Sequence, residues 1–238
     1  MIVLWCVLGI VVFYILLLIV SAMLVDTSRE YTVDSPFYRF LLQSATDIMV
    51  VLLRIRIKTT GTDMLPKGRF LLVSNHRSNF DPILTWHVFK KHSMAFVSKK
   101  ENFQIPVFGR IIRRCCFMAI DRENPRNAIK TVQQAADLIK SDEASVGIYP
   151  EGTRSKECVL LPFHASVFKI AQKAEVPIVV ITVDGTENIH KNTPFHKTVV
   201  KVDVLRVITL EEIKGKRTVA ISQDVSECMA RHLNKTKD

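Results

Sequence analysis

The N-terminal segment constrains this chain more than any other feature. From Ile2 to Val25 the sequence carries no charged side chain. A helix needs roughly 20 apolar residues to cross the hydrocarbon core of a bilayer, so this segment is long enough to do so. A cleaved signal peptide would begin with basic residues and contain an apolar stretch of about 7–15 residues, and neither applies here. The segment is therefore predicted to be a membrane helix that spans the bilayer or enters one leaflet.

A second hydrophobic segment follows a short polar stretch. Residues 37–53 mix apolar side chains with a few polar and charged ones, a pattern typical of an amphipathic helix. It is expected either to lie on the membrane or against the first helix, or to be a buried core helix. We predict that residues 1–53 form N-terminal membrane-anchoring helices and that residues 54–238 form one α/β domain.

Positive charge dominates the chain as a whole. The formal net charge is +10 at pH 7, with 33 Lys and Arg against 23 Asp and Glu. Such a surface attracts nucleic acid, anionic lipid headgroups or phosphorylated substrates. No motif of aromatic and basic residues for nucleic-acid recognition is present, so membrane lipids are the expected partners and nucleic acid is not. If the first segment spans the bilayer, the positive-inside tendency favours the cytoplasmic face for the domain, because basic residues follow at Arg54, Arg56 and Lys58.

From residue 54 onward, short β-branched or apolar runs alternate with helical patterns. This alternation is typical of an α/β domain, predicted here as a mixed sheet flanked by helices. The clearest helix covers residues 127–140, where apolar side chains recur at helical spacing, and another covers residues 221–233. The predicted strands are residues 54–60, 70–73, 94–98, 116–120, 146–149, 178–183 and 199–207.

Cysteine and histidine are not arranged as metal ligands. The five cysteines include no C-x-x-C pair, and the neighbours Cys115 and Cys116 are expected to be small buried residues of a strand. This usage fits a reducing, cytosolic environment. No H-E-x-x-H pattern, P-loop or dinucleotide fingerprint is present, so no metal and no cofactor is expected.

The most informative polar segment is SNHRSNFDP, residues 74–82. It follows a predicted strand and precedes a helical pattern, so His76 and Asp81 are predicted on a strand-to-helix loop. An imidazole, with an unperturbed pKa of about 6.5, can take a proton from a hydroxyl, while a carboxylate on its other nitrogen fixes the tautomer. The spacing permits a catalytic dyad across one turn, although His and Asp at this spacing also occur in structural roles.

Other polar segments also follow predicted strands. In YPEGTRS, residues 149–155, Gly152 permits close backbone approach, and Thr153 and Arg154 carry donors that suit a phosphate. An ordinary polar turn with a solvated arginine is the alternative. Further cations at predicted strand ends could add to an anion clamp: Lys99, Lys100 and Arg122.

Together and in this order, these segments resemble the motif blocks of the glycerolipid acyltransferase superfamily, and most closely the 1-acyl-glycerol-3-phosphate acyltransferases. The blocks are NHRSNFD, FGRIIRRCCFMAIDR, YPEGTRS and VPIVVITVDGT, from about residue 70 to residue 186. The first and third blocks are specific in combination. The resemblance implies transfer of a fatty acyl group from acyl-CoA or acyl carrier protein to the sn-2 hydroxyl of lysophosphatidic acid, giving phosphatidic acid.

The resemblance also implies a role for each matched position. His76 would be the general base and Asp81 its orienting partner, with no covalent acyl-enzyme intermediate. Pro177 in the fourth block would shape the acyl-donor side. Because a carboxylate repels a phosphate, Glu151 is assigned to orienting an arginine or the loop. The residues expected around the acceptor phosphate are Arg122, Glu151, Gly152, Thr153 and Arg154, with Lys99 added for its charge and position.

One segment departs from the family pattern. After the third block, relatives commonly carry a phenylalanine followed by lysine and glycine, whereas this chain has Phe163-His164-Ala165-Ser166. The departure leaves the acceptor open, because glycerol 3-phosphate or another lysolipid could be acylated by the same dyad. A noncatalytic basic protein that binds anionic membranes is the alternative from another functional class.

Overall fold

A computed structural model describes residues 1–121 and 125–235. Two helices come first, and strands then alternate with helices. The strands are β1 (Ile55–Thr60), β2 (Leu71–Ser74), β3 (Met94–Lys99), β4 (Met118–Ile120), β5 (Ser145–Ile148), β6 (Ile178–Asp184) and β7 (Thr198–Ile208). The α-helices are α1 (Ile2–Met23), α2 (Pro36–Leu52), α3 (Phe80–Val88), α4 (Phe108–Arg114), α5 (Pro125–Lys140), α6 (Lys169–Ala174), α7 (Ile189–Asn192), α8 (Leu210–Ile213) and α9 (Thr218–Lys235).

The strands form one mixed sheet in the order β1-β7-β6-β2-β5-β3-β4. β2 lies between β5 and β6 and is parallel to both, with Leu71 opposite Val146 on one side and Ile178 on the other. β3 is parallel to β5, and β7 is antiparallel to β6 but parallel to β1. The carboxyl ends of β2, β3, β5 and β6 therefore share one edge of the sheet.

Alternate residues of the central strands face two apolar layers, as the pleat of a strand requires. On one side, Leu71 and Val73 of β2 join a core covered by α5, α6 and α9. On the other side, Phe70 and Leu72 pack in a core with residues of α2, α3 and α4. Burial on both faces explains why these strands are continuous apolar runs in the sequence. The predicted mixed α/β fold is confirmed, and the seven predicted strands are all present.

The predicted N-terminal helix is α1. It has 22 residues, its most apolar window has a mean hydropathy of 3.1, and none of that window is buried by the rest of the chain. Its buried residues, Ser21 and Ala22, lie at the end that meets the domain. By length and composition α1 is able to cross a membrane, and most of its apolar side chains are exposed.

α2 has features of both predicted positions, one on the membrane or against the first helix and the other in the core. Leu41 and Thr46 are buried, and the helix packs against α3 and α4. The hydroxyl of Ser44 lies 2.8 Å from that of Tyr14 in α1, so the two N-terminal helices are in contact. Val51, by contrast, is 74% exposed. One side of α2 therefore belongs to the core, and the other leaves apolar side chains exposed.

The two adjacent cysteines are buried as expected, but the prediction that they belong to a strand is wrong. Cys115 caps the end of α4, and Cys116 has a φ of 58°, a left-handed conformation that a strand does not use. β4 begins at Met118. Burial raises the pKa of both thiols, that of Cys116 to about 12, so they stay protonated at neutral pH.

Candidate active site

Three loops meet at the edge of the sheet where parallel strands end. The loop after β2 carries His76, the loop after β5 carries Glu151, and the segment after β6 carries Thr186. Because β2 is parallel to both β5 and β6, these loops leave the sheet at the same edge. Ligand sites in open α/β sheets are commonly found outside the carboxyl ends of the strands.

His76 and Asp81 are in direct contact across the turn that leads into α3. Nδ1 of His76 lies 2.8 Å from Oδ2 of Asp81. Because an ionised carboxylate can only accept, Nδ1 is the donor, and Nε2 is left as the acceptor of the neutral ring. The His76 side chain is 15% exposed and that of Asp81 is fully buried. The carboxylate thus orients an imidazole that a substrate can reach.

The loop between the two residues wraps around the carboxylate. Oδ2 of Asp81 also accepts hydrogen bonds from the backbone N–H groups of Arg77, at 2.6 Å, and Ser78, at 2.7 Å. Oδ1 accepts one from the hydroxyl of Thr186, which is fully buried. A buried charge requires such partners, because an unsatisfied one is costly. Asp81 is therefore fixed by its own loop and by the segment after β6.

Glu151 holds the backbone of the loop that carries His76. Its Oε1 accepts a hydrogen bond from the His76 N–H at 2.6 Å, and its Oε2 accepts one from the Leu161 N–H at 3.0 Å. The residue is only 4% exposed, and this burial is the main reason that its pKa is raised, against the lowering effect of both hydrogen bonds. Of the two expected roles, orienting the loop matches these contacts, and no hydrogen bond to an arginine is found for it among the described residues.

Tyr149 forms the floor beneath the imidazole. Its ring centroid lies 4.5 Å from that of His76, with the ring planes tilted by 31°. Its hydroxyl lies 3.3 Å from Oγ1 of Thr85 in α3. Burial raises its pKa well above the ordinary value, and the charge of Asp81 adds to that effect, so the phenol stays neutral. Tyr149 thus limits the tilt of the His76 ring without carrying charge.

A cavity of about 700 Å³ opens beside His76. This volume lies within the range of sites that take small-molecule ligands. Most of its wall is apolar and comes from α2, α3, α4 and the strands β3 and β4. The apolar lining residues are Leu42, Ala45, Met49, Ile83, Trp86, Phe96, Val97, Ile105, Phe108, Ile112, Phe117, Ile120, Ala128, Ile148 and Val167. Such a wall suits a hydrocarbon chain.

Basic side chains line the same cavity. Arg154 and Lys99 both contribute to it, although they come from the loop after β5 and the end of β3. Gly152 also lines the cavity and has a φ of 68°, and a Cβ there would lie 3.0 Å from the ring of His164. Thr153 is exposed and is not part of the wall described here. The combination of an apolar wall and cationic groups suits an amphiphile with an anionic head.

The remaining predicted site residues are not brought to this cavity by the described structure. Arg122 lies outside the described residues. Lys100 is exposed and is absent from the described cavity wall. Pro177 immediately precedes β6, and its carbonyl accepts a hydrogen bond from the N–H of Leu71 at the start of β2. Because β2 and β6 are parallel, Pro177 lies at the opposite edge of the sheet from His76.

Arg77 was not singled out from the sequence, yet it joins the first and fourth blocks. Its guanidinium, only 5% exposed, pairs with Asp184 at the end of β6. It also donates to the carbonyl of Cys158 at 3.3 Å. Thr186, two residues beyond Asp184, reaches Asp81. The adjacency of Arg77 to His76 was the available sequence signal, but its partner could be identified only from the fold.

The backbone amides next to His76 are already engaged. The N–H of His76 donates to Glu151, and those of Arg77 and Ser78 donate to Asp81. They are therefore not free to stabilise an oxyanion in this arrangement. Within residues 1–121 and 125–235, no group of three His, Cys, Asp or Glu side chains is placed to hold a metal ion.

Comparisons with known proteins relate this chain to acyltransferases. Residues 56–184 match the sequence model of the acyltransferase family. The chain is 25% identical over 186 residues to a 1-acyl-sn-glycerol-3-phosphate acyltransferase of Saccharomyces cerevisiae, covering 76% of this chain and 61% of that protein. It is 30% identical over 151 residues to the protein of the same name in Escherichia coli, covering 63% of this chain and 61% of that one. The chain thus spans about three fifths of the length of these relatives.

The fold also matches a solved structure. The crystal structure of the 1-acyl-sn-glycerophosphate acyltransferase PlsC of Thermotoga maritima superposes with a TM-score of 0.72 at 20% identity, covering 94% of this chain and 89% of that one. At this identity the likeness concerns the fold alone. The family match, which extends from β1 to the end of β6, includes both His76 and Asp81. On the extent of that match, this chain belongs to the acyltransferase family.

Proposed function

We propose that this protein is a 1-acyl-sn-glycerol-3-phosphate acyltransferase. It would transfer a fatty acyl group from a thioester to the sn-2 hydroxyl of lysophosphatidic acid and release phosphatidic acid. The observation that carries the proposal is the position of the His76–Asp81 pair at the wall of an apolar cavity that also contains Arg154 and Lys99. The names of the relatives from yeast and Escherichia coli support the same acceptor.

In this mechanism His76 acts as a general base. Nδ1 is held by Asp81, so Nε2 takes the proton of the acceptor hydroxyl as its oxygen attacks the thioester carbonyl. Collapse of the tetrahedral intermediate breaks the C–S bond, and the thiolate leaves and regains the proton from the imidazolium. Asp81 stabilises the positive charge that His76 carries between these steps. No acyl group becomes attached to the protein.

The developing oxyanion needs donors other than the amides of residues 76–78, because those amides are engaged. We assign this stabilisation to the cationic side chains of the cavity, of which Arg154 is the leading candidate. Arg154, Lys99, Gly152 and Thr153, with Arg122, are proposed to surround the acceptor phosphate. A guanidinium is suited to this task because its planar donors match phosphate oxygens in pairs.

The apolar part of the cavity is proposed to hold the acyl chain of a donor, either acyl-CoA or acyl carrier protein. Its wall includes Leu42 and Met49 of α2, so the second N-terminal helix takes part in the site itself. Residues 1–53 are proposed to hold the enzyme at the membrane, where both lipids are concentrated, with the domain on the cytoplasmic face. The exposed apolar surface of α1 supports this association.

A different acceptor is the second candidate, and a specific observation favours keeping it. His164 and Ser166, which lie in the segment that departs from the family pattern, both line the cavity. A Cβ added at Gly152 would lie only 3.0 Å from the ring of His164, so the ring lies close to the backbone of Gly152. The space available to the acceptor head is therefore set partly by His164 and Ser166.

The proposal is tested by assaying the detergent-purified protein with lysophosphatidic acid, glycerol 3-phosphate and lysophosphatidylcholine, each with acyl-CoA and with acyl carrier protein. Phosphatidic acid should form from lysophosphatidic acid in the wild type and in the control His196→Ala, whose side chain is exposed. His76→Ala should lower kcat by about a thousandfold or more, as loss of a general base does in related mechanisms.

Each other outcome has a distinct meaning. If another acceptor is turned over and the activity still depends on His76, the proposed mechanism stands. His164 and Ser166 then become the residues to test for acceptor preference. If His76→Ala turns over substrate as fast as the wild type does, His76 is not the general base. If none of the six substrate pairs reacted, the noncatalytic membrane-binding alternative would take the place of the proposal.

A further inference from the structure

A second pocket lies where α1 meets the domain. Its volume is about 510 Å³. One wall is the last turn of α1 and the residues after it. The other is formed by the 3₁₀ segment Lys100–Gln104, residues 105–107 and α4. Its lining residues include Met23, Thr27, Phe103, Ile105, Arg110 and Arg113. The pocket is therefore formed jointly by the N-terminal helix and the α/β domain.

Two arginines give this pocket its charge. Arg110 and Arg113 are three residues apart on α4, so their side chains project from the same face of the helix. Arg113 stacks on the ring of Phe103, with its guanidinium carbon 5.1 Å from the ring centroid. Arg110 makes one long hydrogen bond, 3.4 Å, to the carbonyl of Ala22 in α1. Neither guanidinium forms an ion pair with a carboxylate of the described residues.

The hydrogen-bonding capacity of these arginines is not used up. Nε of Arg113 is buried and has no hydrogen-bond partner among the described residues. A buried donor attached to a charged group is costly when it is unsatisfied, so such an atom indicates a missing partner. Two like charges on one helix face also repel each other. An anion between them would satisfy the donor and relieve the repulsion.

The position of the pocket indicates what carries that anion. α1 is charge-free over its whole length, and its last residue, Met23, lines the pocket and is 70% exposed. A helix of this kind ends at the membrane interface, where lipid phosphates lie. The remaining lining includes exposed apolar residues such as Ile105, which is 44% exposed. Apolar lining beside paired guanidinium groups suits a phosphate attached to hydrocarbon better than a free phosphate.

We propose that this pocket binds the headgroup phosphate of an anionic membrane phospholipid. The site is separate from the cluster at His76, but the two cavities share Ile105 in their walls. A lipid bound here would bridge α1 and α4 and thereby hold the N-terminal helix against the wall of the catalytic cavity. The inference rests on the proposed membrane association of α1, but it does not depend on which acceptor is acylated.

The test uses the full chain and counts bound lipid by native mass spectrometry, with phosphatidylglycerol or phosphatidylcholine added to the detergent-purified protein. Thr27→Asp places a carboxylate in the pocket at an exposed position, and Thr27→Asn is its uncharged match. Thr27→Asp and the double variant Arg110→Gln/Arg113→Gln should each retain phosphatidylglycerol about tenfold less than the wild type does. The controls Thr27→Asn and Arg231→Gln should retain phosphatidylglycerol as fully as the wild type does. Arg231 is exposed on α9.

Further arms separate this pocket from the catalytic cavity and from soluble phosphates. Arg154→Gln should leave this bound phosphatidylglycerol in place, and inorganic phosphate or free CoA should not displace it. Retention in Thr27→Asp equal to that in Thr27→Asn would overturn the proposal. Displacement by inorganic phosphate or CoA at comparable concentrations would also overturn it, because the site would then belong to a soluble anion. Flotation with vesicles should be measured for every variant. A variant that floats but retains less phosphatidylglycerol has lost the pocket, whereas a variant that does not float has lost membrane association.

Discussion

Glu151 accepts a hydrogen bond from the backbone N–H of His76 at 2.6 Å, and the same carboxylate accepts a second from the N–H of Leu161 at 3.0 Å. One buried side chain therefore connects the loop after β2 with the segment after β5. Both oxygens act as acceptors, so the arrangement requires a carboxylate rather than any side chain with a donor. The backbone of the proposed base is thus held by a side chain that comes from a different loop.

Replacing Glu151 by Gln should impair catalysis more than binding. The amide has only one acceptor oxygen, so either His76 or Leu161 would face an NH2 group and lose its hydrogen bond. We expect kcat to fall by about tenfold or more, with a smaller change in KM, because the proposed base, His76, would shift relative to the substrate. Steady-state kinetics check this. Glu157→Gln, at an exposed position of the same segment, is the control and should be unchanged.

The raised pKa of Glu151 predicts a pH dependence of stability. In the unfolded chain this carboxyl loses its proton near its ordinary pKa of 4.5, whereas burial keeps it protonated to a higher pH in the folded protein. Between these two values the folded state binds more protons, so the free energy of unfolding falls as the pH rises. Denaturant unfolding should be measured for the wild type and for Glu151→Gln. The free energy of unfolding of the wild type, relative to that of the variant, should fall as the pH rises above 4.5 and should then become constant. A difference that does not change with pH would contradict this.

Thr186 is predicted to be a positioning residue for the dyad. Thr186→Val keeps the shape of the side chain but removes the donor to Oδ1 of Asp81, which is buried. We expect a loss of about 1–3 kcal/mol in the free energy of unfolding, as for other buried unsatisfied groups, and a fall in kcat at temperatures where the variant is folded. Thr186→Ser, which restores the hydroxyl, should recover most of the kcat. Equal kcat values for the Val and Ser variants would exclude a role in positioning.

Arg154 is predicted to recognise the acceptor phosphate. Arg154→Gln should raise the acceptor KM by about tenfold, because a charge-assisted hydrogen bond to phosphate is lost, and should leave the donor KM largely unchanged. It should also lower kcat, because the variant loses the proposed stabilisation of the oxyanion. Lys156→Gln, an exposed cation two residues away that is not among the described lining residues, serves as the matched control. An acceptor KM that is the same in both variants would remove Arg154 from the phosphate site.

Much of the local structure could be predicted from the sequence. All seven strands were predicted, because strands buried on both faces appear as apolar runs between turns. The pairing of His76 with Asp81 could be proposed for a similar reason, since the two residues are only one turn apart in the sequence. Asp81 was expected on the loop, but it lies in the first turn of α3, because the helix begins at Phe80. Cys116 was assigned wrongly to a strand because its positive φ is imposed by the turn after α4 and leaves no mark on local hydropathy.

The partners of the site residues were decided by the tertiary structure. The order β1-β7-β6-β2-β5-β3-β4 brings the ends of β2, β5 and β6 together, so that Glu151 meets the His76 backbone and Thr186 meets Asp81. The same parallel arrangement takes Pro177 to the far edge. Hydropathy and turn signals are properties of neighbouring residues, and the sequence therefore determined the elements and the dyad. Strand order and helix packing depend on contacts between distant segments, so only the folded chain could determine which side chains surround that dyad.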